Sequence, residues 1–263
     1  MVQVAITGAA GRIGSRILPG FEDHSITAID LEPVPNPGID EFESVSLDIT
    51  EDRDELRSAL DGNEVLVHLA AKSSRLEPWD DVLGPNIDGT YRVYEAAETV
   101  GVDRVVFASS NHVTQMHNMA DVTKPNSMTA QSRSVTTQDP FAPSGPYGIS
   151  KVAGEAIGSY FANRFGIEAI NVRIGWSLAP DQLVEVQGES ESLARYARAM
   201  FLSPRDSRDA FRKAVTASIP ENPLTVNLTS GNQERCLSIT HTMRSLGYEP
   251  QDDSATILEE RLN

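Results

Sequence analysis

One cysteine, Cys236, and four lysines, Lys72, Lys124, Lys151 and Lys213, are all that the 263-residue chain has of these two types. A single thiol excludes an intramolecular disulfide framework and a cysteine-based metal site, and no metal is expected. Nowhere does an apolar run approach the roughly 18 residues that a membrane helix requires. The chain opens on MVQVAIT, a strand pattern rather than a basic and then apolar leader. A cytoplasmic location without membrane contact is therefore expected. With so little lysine, 22 basic residues face 38 acidic ones, and the formal charge is −16. That balance excludes nucleic acid as a partner, because a phosphate backbone is bound by clustered Lys and Arg that displace its counterions. It suits a salt-rich cytoplasm, where screening removes the self-repulsion of so many carboxylates. An ordinary acidic mesophilic enzyme is the alternative.

What is present is alternation. The apolar runs VQVAIT, SITAID, VSLDI, VLVHLA, RVVFAS and AINVRIG are separated by GRIGSRILPGF, DRDELRSALDG, NIDGTYRVYEAAETVG and YGISKVAGEAIGSYFANRFG, each with helical spacing and a Gly near its end. Strands alternating with helices predict an α/β fold, a doubly wound parallel sheet of Rossmann type. Residues 111–146 and 176–203 break the pattern and are expected to be irregular. Both follow carboxyl ends of strands, where open α/β sheets bind ligands. A single domain over 1–263 is expected, with 1–175 mainly the dinucleotide-binding core and 176–263 mainly a small substrate-binding part.

ITGAAGRIG places Gly8, Gly11 and Gly14 directly after the first strand. Glycine permits the tight turn and lets the backbone approach a pyrophosphate, while the helix that follows presents its N-terminal N–H groups. TAID ends the second strand at Asp30, about 20 residues on. Its carboxylate can accept from the adenosine ribose hydroxyls and would repel a 2′-phosphate, and Leu31 and Glu32 supply no compensating cation. NAD is therefore expected rather than NADP. Asp48 of SLDIT is placed to meet the adenine, or else to start the next helix. HLAA ends the fourth strand on Ala70 and Ala71, small enough for a cofactor to lie against the backbone, whereas His68 reads as a packed strand residue. Arg12, Ile13, Ile49, Leu69, Asn86 and Ile174 complete the expected cofactor contacts.

In YGISK, Tyr147 and Lys151 stand four apart at the start of a helix and share a face. A tyrosine removes a hydroxyl proton only if its pKa falls well below about 10, and a neighbouring ammonium acts in that direction. Glycine turn, acidic second-strand end, serines at the fifth-strand end and then Y-x-x-x-K occur in that order. With TGAAGRIG, HLAA, NIDGT, FASSN and YGISK, the chain resembles the extended short-chain dehydrogenase/reductase superfamily from Val2 to about residue 250. The resemblance implies a triad of Ser110, Tyr147 and Lys151. Tyr147 would be the base, Lys151 would lower its pKa and hold the nicotinamide ribose, and Ser110 would bond the reacting oxygen. It also implies that Asn86 supports the lysine through the helix backbone, unless Asn86 is simply an N-terminal helix residue.

Within that superfamily, FASSNHV, YGISKVAGE and NVRIG are most similar to enzymes that oxidise C1 of aldose derivatives to lactones, the uronate dehydrogenases and the haloarchaeal NAD-dependent glucose-6-phosphate dehydrogenases. Asn111, His112 and Ser73 would then contact sugar hydroxyls. The anion-binding arginine of the uronate enzymes would fall at Arg195 or Arg198, and Lys72, Arg75 and Arg133 are further candidates for a phosphate. Trp176, where the uronate enzymes have a serine, and Gln115, where a glycine is usual, are departures. The resemblance thus implies oxidation of an anionic sugar, glucose 6-phosphate first and a hexuronate second. A nucleotide-sugar epimerase or dehydratase and a dinucleotide-sensing regulator are alternatives. A homo-oligomer, a dimer first, is expected.

Overall fold

A computed structural model describes residues 1–73 and 78–262. Its centre is a seven-stranded sheet in which every pairing is parallel. The strands are β1 (Gln3–Thr7), β2 (Ser25–Asp30), β3 (Phe42–Ser46), β4 (Val65–His68), β5 (Arg104–Ser110), β6 (Glu168–Ile174) and, after the short parallel pair β7 (Trp176–Ser177) and β8 (Phe201–Leu202), β9 (Leu224–Leu228). The sheet order is β3-β2-β1-β4-β5-β6-β9. The chain winds outward from β1 through β2 to β3, then returns to the other side of β1 at β4. This reversal opens a crevice between β1 and β4 at their carboxyl ends.

The helices are α1 (Gly14–Ile17), α2 (Arg53–Leu60), α3 (Trp79–Val82), α4 (Gly89–Val100), α5 (Pro146–Phe165), α6 (Pro180–Val186), α7 (Glu191–Met200), α8 (Pro204–Thr216), α9 (Thr240–Leu246) and α10 (Ser254–Leu262). Alternate residues of the strands point to opposite faces. Val4, Ile6, Val65 and Val67 pack with Ile17, Phe211 and Leu246 from α1, α8 and α9 on one side. Ala5, Leu66 and Val105 pack with Leu56, Tyr94 and Phe161 from α2, α4 and α5 on the other. Gly101 and Gly166 end α4 and α5 in the left-handed conformation that glycine adopts without steric cost.

The doubly wound parallel fold is as the alternation predicts, and four details differ. The third strand lies at 42–46 rather than 45–49, because Asp48 accepts from the Thr50 N–H and hydroxyl and bends the chain away from the sheet. The first helix is four residues long before a 3₁₀ turn over Leu18–Gly20, since Pro19 cannot continue an α-helical ladder. Residues 176–203 are largely ordered as β7, α6 and α7. Finally, α8 and β9 join the central sheet and its core, so the chain after residue 175 serves the core as well as the site.

The elements β5, β6 and α5 are held together by a buried ion pair. Glu155 of α5 receives both Arg173 Nε and Arg173 Nη2 of β6 at 2.8 Å, and Ser109 of β5 donates to the same carboxylate at 2.5 Å. Both charged side chains are buried. Removing one partner of such a pair strands the other in a low-dielectric interior, at about 3–5 kcal/mol, whereas replacing both with apolar residues costs far less. Arg173→Met or Glu155→Leu alone should therefore lower the unfolding free energy by about that amount, measured by denaturation in concentrated KCl. The double variant should recover most of the loss, and simple additivity would contradict the pairing.

Candidate active site

The crevice widens into a cleft of about 1230 Å³. At its nucleotide end the glycine turn is shaped by two close approaches. A Cβ on Gly8, whose φ is +73°, would lie 2.6 Å from Ala70 N, and one on Gly14 would lie 2.4 Å from Ala9 O. Gly11 meets only Gly8 O, at 3.1 Å, and faces the cleft. A side chain there would occupy the space that a pyrophosphate needs. Asp30 is oriented by two backbone N–H groups, Ala10 to Oδ2 and Leu31 to Oδ1, each at 2.8 Å. With both oxygens fixed, the carboxylate presents a rigid acceptor edge to the cleft. Arg12, Ile13, Leu31, Asp48, Ile49, Leu69, Ala70, Ala71 and Ile174 line the same space. Asp48 does so with Oδ1 already taken by Thr50. The short α1 contributes little dipole, so the N–H groups of the turn and the Arg12 guanidinium carry the anion attraction of this end.

Asn86 stands behind the cleft rather than in it, a correction to its placing among the cofactor contacts. Buried in the π-helical turn Leu83–Asp88, it accepts from Lys72 N at 2.7 Å and donates to Lys72 O at 2.9 Å and to Ser150 Oγ at 3.0 Å. It therefore ties the segment following β4 to the first turns of α5. His68, beneath the same helix, lies between the Thr7 and Thr90 hydroxyls at 2.7 and 3.1 Å and is pushed down to about 3 by burial and then by the Lys151 charge. A histidine so held stays neutral and packed, as its strand position suggests.

At the other end, Ser110, Asn111, His112, Tyr147 and Lys151 converge on the cleft from β5 and α5. Burial pushes the Tyr147 phenol up to about 12, opposed by hydrogen bonding from Ser110. Burial also pushes Lys151 down to about 7, its ammonium lying 4.8 Å from the Phe107 ring centroid. The Ser110 hydroxyl accepts from the His112 N–H at 3.2 Å, and His112 Nδ1 pairs with Ser144 Oγ at 2.6 Å. Asn111 donates to the Tyr196 hydroxyl at 2.7 Å and to Gln115 Oε1 at 3.2 Å. Ser73 lines the cleft from the segment after β4.

Arg195 and Arg198 do not reach the cleft. Arg195 bonds Glu191 and Met128 O; Arg198 bonds Glu234, Gln187 and Glu191. Both lie on the outer face of α7, while Tyr196 between them turns inward against Trp176, ring centroids 5.6 Å apart, and lines the cleft. On α7 it is Tyr196, and neither arginine, that lines the cleft. The 3.6-residue period of LARYARAM, read as one buried face through Ala194, Tyr196, Ala197 and Met200, would have revealed this. Asn126, from the irregular segment, also lines the cleft, and nothing in the sequence marked it. Arg133 pairs with Asp139; Arg75 lies outside the described residues. Among the described residues the cations lining the cleft are Arg12, Lys72 and Lys151.

A family model for the NAD dependent epimerase/dehydratase family matches residues 4–204. The chain belongs to that family. It is 47% identical over 260 residues to an L-arabinose 1-dehydrogenase (NAD(P)(+)) of Haloferax volcanii, covering 98% of this chain and all of the relative. An NAD-dependent glucose-6-phosphate dehydrogenase of the same organism is 34% identical over 256 residues, 96% of this chain and 94% of that one. In the crystal structure of a glucuronic acid dehydrogenase from Chromohalobacter salexigens the same architecture recurs with a TM-score of 0.80 at 30% identity, over 99% of this chain and 88% of that chain. The family is the one that the glycine turn and the Y-x-x-x-K helix resemble.

Lys151 is charged below about pH 7 in the folded protein but up to about pH 10.4 once unfolded. From pH 7 upward the unfolded chain therefore binds the extra proton, and stability rises with pH. Cys236, whose thiol burial pushes up to about 11, acts in the opposite sense once the unfolded thiol ionises. The cofactor-free protein should thus gain stability from about pH 7 to 8.5. Lys151→Met should flatten that limb in thermal unfolding followed at fixed KCl; an unchanged slope would show that the buried ammonium does not produce it.

Proposed function

We propose that the protein is an NAD-dependent sugar 1-dehydrogenase whose substrate is a neutral aldose, an aldopentose such as L-arabinose first, oxidised at C1 to the lactone. The observation that carries the substrate is the 47% identity, over nearly the whole of both chains, to an enzyme described as acting on L-arabinose. The inward turn of Tyr196 in place of an arginine supports it, since a carboxylate is best held by a bidentate guanidinium. The phosphate of glucose 6-phosphate, the sugar expected from the sequence, would find Lys72 among the described cations near that end. Arg133, Arg195 and Arg198 are all occupied elsewhere.

The residues present suit the dinucleotide. Gly8, Gly11 and Gly14 would leave room for its pyrophosphate, Asp30 would accept from the adenosine ribose, and Lys151 would hold the nicotinamide ribose. When bound, NAD supplies the acceptor for the C1 hydride. The Tyr147 phenolate, stabilised by the Lys151 ammonium, takes the proton of the C1 hydroxyl and becomes a phenol, while Ser110 bonds the same oxygen. As the C–H bond breaks, the electron pair of the O–H bond becomes the second bond of the lactone carbonyl. The burial that pushes Tyr147 up opposes formation of the phenolate, so positive charge beside it favours the reactive form.

Purified protein in concentrated KCl should reduce NAD with L-arabinose, with a kcat/KM at least tenfold above that for glucose 6-phosphate or glucuronate. Tyr147→Phe should lower kcat by about 10²-fold or more with little change in sugar KM. Reduction of NAD with the phosphorylated sugar alone would overturn the substrate. Asp30→Ala should raise kcat/KM for NADP relative to NAD, and an unchanged ratio would remove Asp30 from the nucleotide site. Tyr196→Arg should improve the use of glucuronate relative to arabinose if its side chain faces the sugar.

A further inference from the structure

We infer that Asn126 is a specificity-determining residue whose side-chain amide reads a sugar hydroxyl other than the one that reacts. The inference rests on the sugar-dehydrogenase reading and deepens it. Asn126 lines the cleft, is only 7% exposed, and its Oδ1 is buried without a hydrogen-bond partner among the described residues. A buried amide oxygen left unpaired is unfavourable, and such groups call for a ligand or another explanation. Here the explanation is its position.

The segment that carries it is fastened on both sides to the sugar end. Gln115 donates to Ser127 O at 3.3 Å and itself accepts from Asn111, next to Ser110. On the other side Met128 N donates to Ser192 O at 3.1 Å, Arg195 donates to Met128 O at 3.3 Å, and the Met128 side chain packs with Tyr196, Met200 and Trp176. Within the segment, Ser127 Oγ accepts from Asp121 N and Ser127 N donates to Lys124 O. Asn126 is therefore held over the cleft by groups that are themselves hydrogen-bonded, and its own amide is the part left open. Arg195 is a positioning residue: it secures this segment instead of touching an anion. A hydroxyl both donates and accepts, so it suits an amide in either orientation. Tyr147 and Ser110 already engage the C1 oxygen, which leaves Asn126 for a hydroxyl elsewhere on the ring.

Such a site rejects an analogue that lacks the hydroxyl, because the protein group is again left unpaired. The test is Asn126→Leu, near in shape and unable to hydrogen-bond, compared with wild type on L-arabinose and its monodeoxy analogues. The expected result is a KM for arabinose raised about tenfold, the loss of one hydrogen bond, with kcat within about twofold and NAD KM unchanged. One deoxy analogue that wild type discriminates against should be used equally well by the variant. The unfolding midpoint should be unchanged or higher, since an unsatisfied buried acceptor has been removed. An unchanged arabinose KM, a preserved discrimination, or a lowered midpoint with unaltered kinetics would overturn the role of Asn126 alone. A wild-type protein that reduces NAD with no aldose would overturn the sugar-dehydrogenase reading, and this inference with it.

Discussion

The contact on which the site's geometry depends is the carboxylate of Glu155, held by Arg173 and Ser109 in the interior. Tyr147, Lys151 and Glu155 follow one another at intervals of four along α5 and so share a face. Fixing the third against β5 and β6 fixes the first two against Ser110, the neighbour of Ser109. Burying two charges is costly in desolvation, and the pair is weak as a source of stability compared with apolar packing. What it contributes is register, since a carboxylate met by two guanidinium nitrogens tolerates little rotation or sliding of the helix. Glycine makes the approach possible. A Cβ on Gly154 would lie 2.2 Å from the Phe107 ring and one on Gly148 would lie 2.6 Å from His112 O. The same arginine sits 5.3 Å from the Phe141 ring centroid, so the long segment after β5 is gathered onto the same point.

That close packing has an electrostatic consequence. Burial against the protein drives the phenol and the ammonium at the base of the cleft towards their neutral forms. The carboxylates that give the chain its charge of −16 play a different part. Most are exposed or paired with arginines at the surface, where salt screens them.

How much of this was legible in the sequence depended on whether a local rule governed the feature. Gly8, Gly11, Gly14 and Asp30 were readable because a tight turn after a strand and an acid at the next strand's end follow from backbone sterics and spacing. Tyr147 with Lys151 was readable from helical periodicity. The strand at 42–46 was misplaced by three residues because the hydrophobic run VSLDI continues past the Asp48 bend, and hydrophobicity does not register an Asx turn. The particular contacts of Asn86 were not legible, since its partners, Lys72 and Ser150, come from distant segments. Arg195 and Arg198 attracted attention by charge, although their helix directs Tyr196 inward. For Asn126 no pattern existed at all: its burial is set by tertiary fastening of an irregular segment.

These differences in legibility follow the division of labour in the cleft. The end that would hold the dinucleotide and move the proton is built from β1, β2, β5 and α5, whose form obeys the periodic rules of sheet and helix. The end that would select the sugar is built from 111–146 and α7, joined by side-chain hydrogen bonds such as Asn111 to Tyr196 and by the packing of Met128 on Tyr196 and Trp176. Substitutions there can change which hydroxyls are matched without disturbing the ion pair that aligns α5. Relatives described as acting on a pentose, a sugar phosphate and a uronate can therefore share one sheet and one helix register. Asn111, Asn126, Ser110, Tyr196 and Trp176 line the cleft there, and none of them takes part in the helix-to-sheet ion pair.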